Sequence, residues 1–398
     1  MLKIKCRETV LSFFWLGAVF SYFFQFPISR LSSLIVPFLA LFLLTALITG
    51  TKMPIKGNWG TVFIVYIAYL ALMTALSMIN GVEIGSILRF LLILIMIPLF
   101  CVINTGDFSL EKKIFVFLAV LKCLLLLYYS LAMYRAGSYV EFRQWAQENN
   151  YGDMYINPKT HIPSVMVQGN GILPVAFFLN LEDKKTNRTV KSIFTVILAA
   201  GMIVAGNMAF LLAVAVFFGI KILKTISKSG ISRTKQLLLS TLLVGAICGF
   251  LPIAFKILSM KADYSNAVRI QQAKVLLNNY IIIGNGIGHK IYADIGYRVY
   301  AGDTYFELQT LYIFNQIGLP GLILFYYLIF SPFSRTSKTN LYIFLAYIAY
   351  SFWNPYCFDT TEMITVALLI NYPLLPEENQ TYSLISTVNP QLCYSIRR

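Results

Sequence analysis

Charge is what this sequence has least of. Only 12% of its 398 residues are Asp, Glu, Lys or Arg, about half the share usual in a soluble domain. Histidine is scarcer still, with His161 and His289 alone. The six cysteines (Cys6, Cys101, Cys123, Cys248, Cys357 and Cys393) have no paired spacing, which argues against a disulfide framework and against a zinc site. No aspartate pair of metal-binding type is visible, and neither a metal nor another cofactor is expected. The opening run, MLKIKCRETVLSFFWLGAVFSYFF, has a basic flank but reads as a first span rather than as a cleavable leader. No internal repeat is evident.

What the chain does have is apolar length. Hydrophobic residues make up 58% of it and the mean hydropathy is +0.70. Runs at 9–27, 31–49, 59–79, 85–103, 113–134, 163–181, 192–206, 207–223, 236–256, 307–330, 340–356 and 362–376 are each read as crossing, or nearly crossing, a bilayer. The expectation is an all-α polytopic bundle of about 12 spans forming a single integral membrane domain over 1–398. The segment 193–223 is too long for one span and is divided into two short helices at Gly206-Asn207.

The formal net charge of +15 would suit nucleic acid in a soluble protein. Here it is better explained by orientation. With the amino terminus inside, twenty of the 32 Lys and Arg fall in short cytoplasmic segments and ten outside, while Arg89 and Lys122 lie within spans, where snorkelling or pairing is expected. No nucleic-acid partner is expected. Both termini, including the polar tail 377–398, are then cytoplasmic, and the two long loops, 135–162 and 257–306, lie on the external face with both histidines.

The second loop contains SNAVRIQQAKVLLNNYIIIGNGIG, Ser265 to Gly288. Ser265 or Asn266 can cap a helix from Ala267 to about Tyr280, with Ile270, Ala273, Leu277 and Tyr280 on one side and Arg269, Gln272 and Lys274 elsewhere. Gly284, Gly286 and Gly288 would let the backbone turn sharply and present amides. A guanidinium, these amides, Lys274 and Lys290 suit a phosphate or diphosphate at headgroup depth. The competing reading is that Arg269 and Lys274 only snorkel. A Rossmann site is not indicated, because no strand precedes the glycines and no helix obviously follows.

Taken with YFELQTLYIFNQIGLPGLILF further on, this stretch resembles the carboxy-terminal signature of the O-antigen polymerase and ligase superfamily. The resemblance rests on Arg269, on Gly284 with Gly286 and Gly288, on Glu307, and on Gly318 with Gly321. It is sharp over about 265–325 and architectural elsewhere. It implies an inner-membrane glycosyltransferase acting on polyprenyl-diphosphate-linked glycans, working with a flippase and a chain-length regulator. Ligases of the superfamily usually have His at the place of Glu307, so Glu favours the polymerase (Wzy-type) branch. A Ser-Arg pair common in the superfamily is missing: Ala205–Phe210 reads AGNMAF, and Arg143 is a candidate substitute.

Under that resemblance, Arg269, then Arg298 and Arg143, would neutralise the leaving diphosphate. Glu307, with Asp303 as runner-up, would take the acceptor hydroxyl's proton; a carboxylate at a helix start would also simply favour the helix dipole. His289 could donate to phosphate or face solvent. Trp145 and Tyr151, with Tyr139, Phe142 and Tyr155, could stack on sugars or form an interfacial belt. Gln168 and Asn170, read as lying within a span, would need partners there and join Trp145 and Tyr151 as glycan-binding candidates. A ligase and a membrane transporter or flippase are the alternatives.

Overall fold

The computed structural model describes residues 2–49, 58–103, 108–157, 161–226, 263–278, 282–294, 299–303, 306–334, 336–352 and 354–370, with isolated positions 234 and 241. These are mostly helical, in 13 helices with two small antiparallel hairpins. The helices are α1 Leu2–Phe24, α2 Ser32–Ile48, α3 Trp59–Ile79, α4 Ile84–Phe100, α5 Ser109–Ala136, α6 Val140–Glu148, α7 Leu173–Glu182, α8 Arg188–Val204, α9 Ala209–Ile226, α10 Asp263–Asn278, α11 Gln309–Phe333, α12 Lys338–Ser351 and α13 Thr360–Leu369. Strands β1 Gly152–Ile156 and β2 Pro163–Val167 pair in the first loop region, and β3 Ile291–Asp294 and β4 Val299–Asp303 in the second.

Among the described residues, five segments are long and apolar enough to cross a membrane: Ser29–Ile48, Trp59–Ile79, Ser109–Ala136, Ala209–Ile226 and Gln309–Phe333. Their outward residues, such as Leu44, Ile64, Leu72, Leu131 and Ile323, are exposed and apolar, as a lipid-facing surface requires. Inward residues interlock through aromatic rings and isolated polar ties. Trp59 on α3, for example, donates to the Leu328 carbonyl of α11 at 2.9 Å.

Several expectations need correction. The apolar run 163–181 is not one helix. Pro163 to Val167 form β2, residues 168–172 turn, and only the ten-residue α7 follows. Gly169 and Gly171 explain the turn, because a Cβ at either would lie within 3 Å of Tyr22 atoms. The division of 193–223 at Gly206-Asn207 is present, with α8 ending at Val204 and α9 starting at Ala209. The run 236–256 and the tail 377–398 lie outside the described residues.

Ser265 and Asn266 lie within helix α10, described over Asp263–Asn278, rather than before its first residue. Its buried side is Val268, Gln272 and Leu276, while Ile270 and Leu277, expected against lipid or the bundle, are 59% and 50% exposed. Gln272 is buried because its amide donates to the Tyr300 hydroxyl of β4. A pattern based on apolarity alone puts such a residue on the wrong face.

Candidate functional site

The helix α11 contains Ile317-Gly318-Leu319-Pro320-Gly321. Pro320 has no N–H to give and disfavours helical geometry at Leu319. Gly318 accordingly leaves the helical region, at φ 62° and ψ −175°. That break frees the carbonyls of Asn315 and Gln316 and the N–H of Leu319, and buried backbone groups must find partners.

The segment 282–288 supplies them. Asn285 N–H donates to the Asn315 carbonyl at 2.9 Å and Gly286 N–H to the Gln316 carbonyl at 3.0 Å. Leu319 N–H donates to the Ile282 carbonyl at 2.9 Å, and Gly288 N–H to Gln316 Oε1 at 2.8 Å. The Tyr69 hydroxyl of α3 lies 2.5 Å from the Ile283 carbonyl and 2.8 Å from that of Ile317. The glycine-rich turn is therefore docked into the helix break. The amides of Gly286 and Gly288, expected to face a phosphate, are donated within the chain. Gly284, Gly286 and Gly288 all have positive φ, and a Cβ on each would meet backbone or Ser77 atoms.

This docking brings two candidate residues together. Arg269 on α10 and Glu307, two residues before α11, form an ion pair with Nε and Oε2 2.8 Å apart; their side chains are 19% and 28% exposed. Lys274, also on α10, is exposed. Lys290 pairs with Glu83 at 2.8 Å, and this bond raises its pKa. His289 is half-buried beside the turn, and desolvation lowers its pKa. Its carbonyl accepts the Tyr312 hydroxyl at 2.7 Å. Asp303 lies in β4; Arg298 lies outside the described residues.

The first loop region is separately organised. Arg143 on α6 pairs with Asp153 of β1, with Nε to Oδ1 at 2.9 Å and Nη2 to Oδ2 at 3.1 Å. Trp145 stacks on Tyr129, ring centroids 5.6 Å apart, and also meets Phe26 and Tyr151. Tyr151 is buried and its hydroxyl donates to the Pro27 carbonyl, so it offers no free face to a sugar. A shallow cavity of about 300 Å³ lined by Tyr129, Glu141, Phe142 and Trp145 leaves part of this cluster reachable.

Gln168 and Asn170 are not on a span; both belong to the turn after β2. Gln168 donates to the Asn150 carbonyl at 2.8 Å, and the buried Asn170 to the Val165 carbonyl at 2.9 Å. The Gln168 carbonyl in turn accepts from Lys122 Nζ at 2.9 Å. Lys122 does not snorkel. It is 0% exposed, lies 4.8 Å from the Phe26 ring centroid, and is about 20 Å along α5 from Ser109. Nonhelical backbone at that depth needs protein around it, and Lys122 answers one of its carbonyls.

A third constellation was not foreseen. It surrounds the start of α13. Asp359 caps this helix, its Oδ1 accepting from Thr361 N–H at 2.9 Å and Glu362 N–H at 3.2 Å. Buried Glu362 accepts from Phe358 N–H at 2.7 Å through Oε2, while its Oε1 has no hydrogen-bond partner among the described residues. Tyr22 of α1 bonds Thr361 at 2.9 Å, and Tyr350 of α12 donates to the Gly171 carbonyl at 2.5 Å. At the α8–α9 break, in the AGNMAF stretch, Asn207 bonds Asn354 at 3.3 Å and Tyr356 at 3.2 Å. Gln309 bonds the Phe358 carbonyl at 3.4 Å, linking this cluster to the helix that follows Glu307. The signal available in the sequence was Asp359-Thr-Thr-Glu362, an acidic helix start; it announces a cap, and capping alone leaves Oε1 unmet.

One end of the bundle thus collects both loop regions, the α13 start and three interruptions of helical backbone: the turn before α7, the α8–α9 break and the α11 break. Compared with known proteins, the chain matches no family model, and neither a curated protein nor a solved structure is significantly similar to it.

Proposed function

We propose that the chain is a membrane glycosyltransferase that polymerises lipid-linked oligosaccharide repeat units, transferring the growing glycan from polyprenyl diphosphate to an incoming unit. In this reading it crosses the bacterial inner membrane about 12 times with both termini cytoplasmic, and its loop end is periplasmic. Its donor and acceptor are both polyprenyl-diphosphate-linked, and a flippase and a chain-length regulator are its partners.

The observation that carries the proposal is the Arg269–Glu307 pair, 2.8 Å apart at the mouth of α11. Transfer needs a cation for the leaving diphosphate and a base for the acceptor hydroxyl. An arriving diphosphate competes with Glu307 for Arg269 and releases the carboxylate. The acceptor oxygen then attacks the anomeric carbon as its proton passes to Glu307. The glycosyl–diphosphate bond breaks with its electron pair on the diphosphate, held by Arg269 and by Lys274 nearby on the same helix. The aromatic cavity beside Trp145 is suited to a sugar ring. A ligase remains the alternative within the class, with Glu307 in the usual place of His counting against it.

A transporter or flippase is the second reading. Helices interrupted at depth, with a buried cation such as Lys122, favour it. One experiment separates the readings: a gel of surface polysaccharide from cells lacking the gene, complemented with wild type, Arg269→Ala or Glu307→Ala at equal membrane levels. The polymerase reading expects the null strain and both variants to keep a core with a single repeat and to lose the ladder. Loss of the single repeat as well points to a ligase or flippase. An unchanged ladder in the null strain refutes the assignment to that glycan.

A further inference from the structure

At the opposite end of the bundle from the loops, the first turns of α5 and α12 meet the α7–α8 connection around a cavity of about 570 Å³. Its rim holds Lys112, Lys113, Lys184 and Lys185 against Glu182 and Asp183, four cations to two acids. Both acids are already engaged. Glu182 pairs with Lys221 of α9. Asp183 accepts from Lys185 N–H at 2.7 Å and from the Thr186 hydroxyl at 2.5 Å. Although partial burial pushes its pKa up, these bonds and the charge of Lys113 hold it below the usual value.

The wall is built rather than incidental. Asn180 and Asn340 line it at 3% and 6% exposure. Asn180 is held by the Lys191 carbonyl at 3.0 Å and the Thr195 hydroxyl at 2.9 Å, and Asn340 by the Leu369 carbonyl at 2.7 Å. Two helix starts, Ser109 of α5 and the Ser337 cap of α12, add their positive dipole ends to the lysine rim.

Apart from Thr339, the remaining lining is apolar: Val116, Leu179, Val190 and Phe194. From Val190 the apolar surface continues outward along α8 through Ile193 and Val196, which are 52% and 67% exposed. A basic mouth joined to an apolar flank on a membrane helix matches a phosphate with acyl chains attached, not a free nucleotide. We infer that this cavity binds the phosphate headgroup of an anionic phospholipid, with the acyl chains lying along α8. The site is independent of the transfer chemistry proposed above.

The test uses the full-length protein, delipidated in neutral detergent. Thermal unfolding is followed after adding phosphatidylglycerol, phosphatidylcholine or sodium phosphate at equal phosphate concentration. Native mass spectrometry counts retained lipid. The variants are Lys113→Gln/Lys184→Gln/Lys185→Gln, all exposed positions, and Arg30→Gln, an exposed cation remote from the cavity. Phosphatidylglycerol is expected to raise the midpoint of wild type and Arg30→Gln alike, and phosphatidylcholine to have no such effect. The triple variant should bind phosphatidylglycerol about tenfold more weakly or worse. Equal binding by the triple variant, or an equal shift with phosphatidylcholine, overturns the inference. A shift reproduced in full by sodium phosphate assigns the site to a free anion and overturns the lipid part.

Discussion

Replacing Gly284 by alanine tests whether the glycine turn is a structural plug or a ligand cradle. Gly284 has φ +103°, and a Cβ there would lie 2.4 Å from the Gln316 carbonyl oxygen and 2.7 Å from the Gly318 nitrogen. Both are backbone atoms at the α11 break, so no side chain can swing away. The left-handed conformation costs a residue with a Cβ about 1–2 kcal/mol. Relief of the clash must draw 282–286 off α11 and stretch the bonds Asn285–Asn315, Gly286–Gln316 and Leu319–Ile282. Each contributes about 1 kcal/mol. The sum is about 4–5 kcal/mol, a large part of a total stability that is usually about 5–15 kcal/mol. Gly85→Ala and Gly219→Ala are the controls, since a Cβ at either meets nothing within 4 Å. Thermal unfolding of the purified protein in micelles should show a large fall for Gly284→Ala and none for the controls. If Gly284→Ala unfolds with the wild type yet loses activity, the turn serves a ligand and the docking argument is wrong.

Three other predictions concern charges. A double-mutant cycle of Arg269→Ala with Glu307→Gln should give a coupling of about 1–2 kcal/mol in unfolding, between an exposed pair and a buried one; additive effects would mean that the pair is not held in solution. Lys122→Met should unfold within about 1 kcal/mol of wild type, because the lost bond to Gln168 is offset by no longer burying an ammonium, whereas Lys122→Ala should cost about 2–4 kcal/mol for the cavity it leaves. Equal losses in the two would place the stability in the charge rather than in the packing of the stem. Burial lowers the pKa of His289 from 6.5, so the unfolded chain binds the proton more readily; its contribution is present above pH 6.5 and declines as the pH falls through the lowered value. His289→Gln should flatten that part of the stability–pH curve, and an unchanged slope would refute the assignment.

The helical class and five helices of spanning length were legible because apolar length is a direct physical requirement. The run at 59–79 coincides with α3, and the break at Gly206-Asn207 was announced by its residues. The run at 163–181 misled because apolarity does not distinguish a strand from a helix over so few residues; Pro163, Gly169, Gly171 and Pro174 marked the interruption. The burial of Gln272 on α10 was missed for the opposite reason. Gln272 is buried by a bond to Tyr300, 28 residues away, and no local pattern carries that information. At the site, the candidates Arg269 and Glu307 were visible as types at a spacing, but their adjacency depends on the turn docking into α11. The acids of α13 were legible only as a cap.

The arrangement also explains why GNGIG and IGLPG occur together. A proline-containing break at this place in α11 leaves the Asn315 and Gln316 carbonyls and the Leu319 amide unmet, which a protein in lipid cannot leave so. Only a backbone segment able to approach closely can meet all three, and that requires glycine at the closest points. The turn, in turn, needs the break, because an intact helix would have no carbonyl to offer it. Elsewhere the ties are one-sided: Lys122 meets the Gln168 backbone carbonyl, and at the α8–α9 break the Asn207 side chain bonds the side chains of Asn354 and Tyr356. Each interruption is tied to a distant part of the chain, so the loop end holds together as a unit rather than as a set of separate loops. At the α11 break this leaves the freed polar backbone bonded within the protein rather than open to lipid.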